Sequence, residues 1–185
     1  MDEETRRRVL AYVKPLAAGL DGVTNYGDVE RMARVAATIA AGRSDVHADR
    51  LFLLAVFSGQ RRWITRFGQG SRTDLFLASA GVDPEEVRRL IRSIARYETA
   101  PATPEEEIVH DARRLEEIGA YGIARRITEG YRERLDFREL AEEIAREARD
   151  DFRTEKGRGL AAPRLELMKE FARRLHDEVE EFEGP

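Results

Sequence analysis

The chain contains no cysteine. That excludes disulfides, thiolate zinc sites and cysteine nucleophiles together, and it fits a reducing, cytoplasmic compartment. Amide side chains are scarce as well: only Asn25, Gln60 and Gln69 occur in 185 residues. Lysine is equally rare, so arginine supplies almost all of the positive charge. Few amides, no cysteine and dense Glu/Arg pairing resemble a heat-adapted protein; a GC-rich genome produces the same arginine bias. No apolar run approaches the roughly 20 residues that cross a bilayer, and Met1-Asp2-Glu3-Glu4 lacks the charge pattern of a signal peptide. No membrane partner is expected.

What is present is charge of both signs, interspersed. Charged residues make up 37% of the chain and hydrophobic residues 42%, with a net charge of −4. That balance belongs to a soluble globular chain rather than a disordered one. The acidic excess argues against a nucleic-acid partner. A length of 185 residues fits one domain with a sizeable core.

The apolar spacing is helical nearly throughout. Val9, Leu10, Val13 and Leu16 form a first stripe ending at Gly19; Val29, Met32, Ala33, Ala36, Ile39 and Ala40 form a second, stopped by Gly42. The run Leu51 to Phe57 is apolar all round and reads as a central buried helix, since no other segment offers it a partner strand. Ser58 to Arg72 is polar and Arg-rich and reads as a loop carrying Trp63, Ile64 and Phe67, before a short helix from Asp74 to Ala80.

Asp83-Pro84-Glu85-Glu86 and Thr103-Pro104-Glu105-Glu106 each open a helix with a cap, a first-turn proline and acids at the positive end. The second meets Gly119. A short apolar segment, Ile123 to Ile127, follows Gly122. Next comes a stripe of Phe137, Leu140, Ala141, Ile144, Ala145 and Ala148. Thr154 to Gly159 reads as a break, and Pro163 as the start of a long last helix carrying Leu165, Met168, Ala172, Leu175, Val179 and Phe182. That stripe serves either a core or a coiled-coil seam with a second chain. The expectation is an all-α fold: one compact helical bundle over residues 1–185, its core at roughly 20–182.

Two segments carry more than periodicity. Glu107-Ile108-Val109-His110-Asp111-Ala112-Arg113-Arg114-Leu115, continuing through Gly119-Ala120-Tyr121-Gly122-Ile123-Ala124-Arg125, resembles a stretch of the HD-domain phosphohydrolases. In that family it reads Asp-Ala-Asp-Arg-Leu, then Gly-Ala-x-Gly-Ile-Ala-Arg. Thr154-Glu155-Lys156-Gly157-Arg158-Gly159-Leu160-Ala161 is similar to the Thr-x-x-Gly-x-x-Leu-Ala turn of one bacterial and archaeal branch. The resemblance implies an all-α HD-domain bundle. In active members a divalent metal is held by a His on the second helix, a His-Asp doublet ending the central helix, and a distal Asp, and it activates water against phosphate esters.

Carried onto this chain, the helix-two His falls on Asp28, the doublet on Ser58-Gly59, a further His on Tyr97, and the distal Asp on Asp111. Glycine has no ligating side chain and a neutral serine is a poor ligand, so Asp28 and Asp111 remain as the carboxylate donors, and two carboxylates alone hold a transition metal weakly. Arg113 replaces the second Asp of Asp-Ala-Asp and brings positive charge to the place of a cation. The centre therefore reads as dismantled, with no cofactor and no catalytic residues. The alternative is a rebuilt site holding Mn, Zn or Ni through Asp28, Asp111 and another carboxylate.

Each residue also has a plainer role. Asp28 suits a helix N-cap, Asp111 a helix turn or an Arg partner, and His47, His110 and His176 surface or packed positions. Arg61, Arg62, Arg113, Arg114 and Arg125 would make the former pocket anion-binding if the fold gathers them; otherwise they pair with glutamates. Trp63 and Phe67 either stack a base or anchor their loop. Gly119 to Gly122 lack the Gly-Lys-Ser/Thr ending of a phosphate loop. The expected protein binds a small anionic ligand or nucleotide, or a protein partner or second copy of itself. Hydrolysis with altered ligands and a structural, oligomerising role are the alternatives.

Overall fold

The computed structural model describes residues 1–17, 26–59 and 72–182. Among them lie nine helices and no strand: α1 (Glu3–Ala17), α2 (Tyr26–Ala40), α3 (Ala48–Ser58), α4 (Arg72–Ser79), α5 (Pro84–Arg96), α6 (Pro104–Glu117), α7 (Gly119–Glu133), α8 (Phe137–Glu147) and α9 (Glu155–Phe182). The all-α expectation holds. None of these helices is long and apolar enough to cross a membrane. The chain divides into two compact units, Met1–Ala112 and Arg113–Pro185, with the division inside α6.

In the first unit α3 is the central element, packed against α1, α2 and α5. A helix that is apolar on every side has no face to give to water, and Leu53, Leu54, Val56 and Phe57 are all buried. The neighbours supply single stripes: Val9 and Val13 from α1; Val29, Met32, Ala36 and Ile39 from α2; Val87, Leu90 and Ile94 from α5. The cap read from sequence forms at α5, where the Asp83 carboxylate accepts the Glu85 N–H at 2.7 Å with Pro84 in the first turn.

The α5–α6 junction is held by one buried anion. Thr103 Oγ1 accepts the Glu106 N–H at 3.3 Å, and the Glu106 carboxylate reaches back to the Ala102 N–H at 2.7 Å. That carboxylate is fully buried, a costly place for a charge without partners. Arg96, the last residue of α5, grips it with Nη2 at 2.8 Å and Nε at 2.9 Å, and Ser93 Oγ donates at 2.6 Å. Burial alone pushes the Glu106 carboxyl up; Arg96, Ser93 and the Ala102 N–H outweigh it and hold the group below its ordinary 4.5.

In the second unit α9 packs against α7 and α8. Three details differ from the sequence reading. α9 begins at Glu155, eight residues before Pro163, because Thr154 Oγ1 caps it by accepting the Gly157 N–H at 2.9 Å. Pro163 lies inside the helix, whose stripe of Ala161, Leu165, Met168 and Ala172 is buried. The segment after Gly122 is not short: α7 runs from Gly119 to Glu133. Phe137 is 66% exposed, and Ala145 is exposed too, so Leu140, Ala141, Ile144 and Ala148 form the buried side of α8. Phe137 follows a capping box that the sequence reading passed over, Asp136 with Glu139.

Because the folded Glu106 carboxyl lies below 4.5, its contribution to stability is complete above that pH and disappears as pH falls through the folded value. Arg96→Ala is expected to cost about 2 kcal/mol at pH 7 by stranding the buried charge. Glu106→Gln is expected to flatten the acid limb of the stability curve. Urea titrations between pH 3 and 7 check both, and an unchanged acid limb in Glu106→Gln would remove this carboxylate from its assigned role.

Candidate functional site

The five positions inherited from the family pattern all lie in the first unit. Asp28 sits within the first turn of α2 rather than at its cap, and it accepts a hydrogen bond from Arg31 Nη2 one turn on. A carboxylate there also faces the positive end of the helix. Ser58 closes α3, is 4% exposed, and donates its hydroxyl to the Ala55 carbonyl at 2.9 Å. Gly59 follows, and among the described residues nothing lies within 4 Å of where its Cβ would stand.

Tyr97 caps the end of α5, is buried, and donates its hydroxyl to Glu98 Oε1 at 2.9 Å. Asp111 on α6 is fully buried, with Oδ1 3.2 Å from Nδ1 of His110, which is itself 5% exposed. His110 is thus a packed partner of Asp111. The sequence reading offered that residue only a surface or packed position and missed the pairing.

A divalent metal requires three or four such donors converging on one point. Among the described residues no group of three His, Asp or Glu side chains is placed to hold one. The side chains at the family positions do not fit the metal that the resemblance implies.

The arginines divide differently. Arg61 and Arg62, with Trp63 and Phe67, lie outside the described residues. Arg113 and Arg114 meet on one carboxylate: Arg113 Nε and Arg114 Nη1 each lie 2.9 Å from Glu117. Arg114 also reaches Asp151 at 2.7 Å and the Glu147 carbonyl at 3.1 Å, and Arg125 pairs with Glu129 at 2.9 Å. Spacings of three and four along a helix carried the signal for the Glu117 and Glu129 pairs.

Around the retained Gly-Ala-x-Gly-Ile-Ala-Arg segment the second unit encloses a polar pocket of about 80 Å³, lined by Glu117, Gly122, Arg125, Arg126, Glu129 and Glu147. Gly119 takes a φ of +77°, and a Cβ on Gly122 would stand 2.1 Å from the Glu117 carbonyl oxygen. The two glycines therefore permit a close entry into α7. Burial pushes the Glu147 carboxyl above its ordinary 4.5; Glu117 and Glu129 add to that, while Arg126 and Arg114 oppose it.

No protein-family model and no curated protein matches the sequence. Solved structures do match. Bacillus subtilis YpgQ in complex with ADP superposes with a TM-score of 0.71 at 21% identity, over 95% of this chain and 95% of that one. A Listeria innocua protein gives 0.76 at 20% identity, over 97% and 98%. An HD-superfamily hydrolase from Bacillus thuringiensis gives 0.74 at 17% identity, over 96% and 98%. The chain has the HD-domain fold. On the HD-domain scaffold, Ser58 and Gly59 end the central helix, where the resemblance puts the His-Asp doublet.

The raised Glu147 carboxyl gives a test of the pocket. Its charged form is disfavoured in the folded state, so its cost is present at neutral pH and is relieved as pH falls through the folded value toward 4.5. Glu147→Gln is expected to raise Tm at pH 7 by a few degrees and to leave it unchanged at pH 4. Thermal melts at both pH values check this; an equal gain at both would assign the effect to packing.

Proposed function

We propose that this protein is a non-catalytic member of the HD-domain superfamily that binds a small anionic ligand or a protein partner. The observation that carries the reading is the end of α3. Ser58 turns its hydroxyl onto the Ala55 carbonyl, and Gly59 offers no side chain where active members present two ligands. Asp28 is held by Arg31, and Asp111 lies beside His110. Nucleotides are the first ligands to try, because the similar YpgQ was crystallised with ADP and guanidinium groups suit phosphate oxygens. A partner protein has a surface to meet on α7, where Tyr121, Ile127 and Tyr131 are exposed. On α9, Leu165, Met168 and Ala172 are already buried, and the half-buried Leu175 and Val179 of that stripe would be open to a second copy.

A second reading, a phosphohydrolase with altered ligation by Mn, Zn or Ni, is favoured by one observation. Asp111 is kept and buried beside an imidazole, a pair of donors in contact.

Turnover of p-nitrophenyl phosphate and of nucleoside mono-, di- and triphosphates, with added manganese or cobalt, separates the two. The expected rate equals that of Asp111→Asn. A rate that rises with metal and collapses in Asp111→Asn establishes the hydrolase instead. Thermal shifts with ADP test the nucleotide form of the reading: stabilisation is expected, and its absence removes that form.

A further inference from the structure

We infer that the cleft between α3, α5 and the start of α6 is a binding site for a small organic anion: an apolar body of one or two rings bearing a single carboxylate or phosphate. The cleft encloses about 220 Å³. Its floor is apolar, made by Leu53 and Leu54 of α3 and Leu90 of α5, each otherwise packed into the core. Its walls carry Arg50, Arg89, Arg92 and Arg96 against Glu86 and Glu105.

These charges are not equivalent. Arg50 is gripped by Glu86 through two bonds at 2.7 and 2.8 Å, and Arg96 is committed to the buried Glu106 carboxylate. Glu105 accepts the His47 N–H at 2.7 Å. Arg89 and Arg92 remain. Arg89 comes only to 3.8 Å from Glu85 and Glu86, and Arg92 lies 3.1 Å from a Glu85 that Arg88 also holds at 2.8 Å.

Arg88, Arg89 and Arg92 therefore share essentially one exposed carboxylate. Exposed pairs of this kind contribute little, so both wall arginines can turn onto a ligand at small cost. The guanidinium fork matches a carboxylate or a phosphate. Water over a leucine floor is poorly held, and an apolar ligand body displaces it favourably. A neutral apolar ligand leaves the two guanidiniums unused, and a bare inorganic anion leaves the floor wet. An anion with an apolar body satisfies both.

This site is not the inherited centre. It adjoins that centre, since Leu54 lies one turn before Ser58 and Arg96 directly precedes Tyr97, but none of the five inherited positions lines it. Its anion would be held by Arg89 and Arg92, so it is tested separately from any catalysis.

The probe is 2-naphthoate, with neutral 2-naphthamide and inorganic phosphate beside it, titrated into the full chain while the leucine methyl resonances are followed by NMR. The expected result is saturable naphthoate binding that shifts the Leu53, Leu54 and Leu90 methyls, with the amide and phosphate each at least fivefold weaker. Arg89→Gln/Arg92→Gln, at exposed positions, is expected to weaken naphthoate at least fivefold. Arg173→Gln/Arg174→Gln on α9 is expected to leave it unchanged. The site is overturned if the cleft methyls do not move, if the amide binds as well as the acid, or if the Arg89/Arg92 variant binds naphthoate like the parent.

Discussion

The buried Glu106 carboxylate is the interaction on which the first unit depends. It collects donors from Arg96, Ser93 and the Ala102 backbone, and so ties the last turn of α5 to the first turn of α6. Two positions of the family pattern hang from that knot: Tyr97 directly follows Arg96, and Asp111 sits on α6 just beyond Glu106. A buried charge of this kind is no bonus to stability in itself, because its desolvation is expensive. Its force is in what happens when a partner is removed: the remaining charge is stranded, so the junction has one arrangement.

In small metalloproteins the metal supplies part of the folding free energy, and losing its ligands loosens the fold. Here the α5–α6 junction is fixed by charge-assisted hydrogen bonds within the protein itself. Asp28 and Ser58 have found partners in their own helices, Arg31 and the Ala55 carbonyl. Asp111 lies against His110 on α6. The α5–α6 junction is thus held by the chain's own charged and polar groups.

Much of this fold could be read from the sequence where the signals are local. The stripes of α2 and α5, the all-apolar α3, and the Asp83 and Thr103 caps depend on residues within a few positions of each other. Errors came where tertiary packing overrides a local rule. Pro163 is a natural helix start, yet the Thr154 cap and the burial of Ala161 and Leu165 carry α9 across it. Tyr121, Ile127 and Tyr131 are exposed, which obscured the true length of α7, and Phe137 is apolar without being buried. At the candidate site, Asp28, Ser58, Gly59, Tyr97 and Asp111 come from the resemblance alone. The Arg96–Glu106 bond and the α3–α5 cleft join separate helices, and no spacing rule reports them.

The central claim is that the metal centre is gone while the fold stands. Metal content of the purified, tag-free protein, measured by plasma mass spectrometry before and after incubation with manganese, zinc and nickel, tests it most directly. The account predicts no retained metal above a few per cent occupancy, together with an unchanged thermal melt. Retention close to one metal per chain, accompanied by a rise in Tm, would contradict it and show a rebuilt centre.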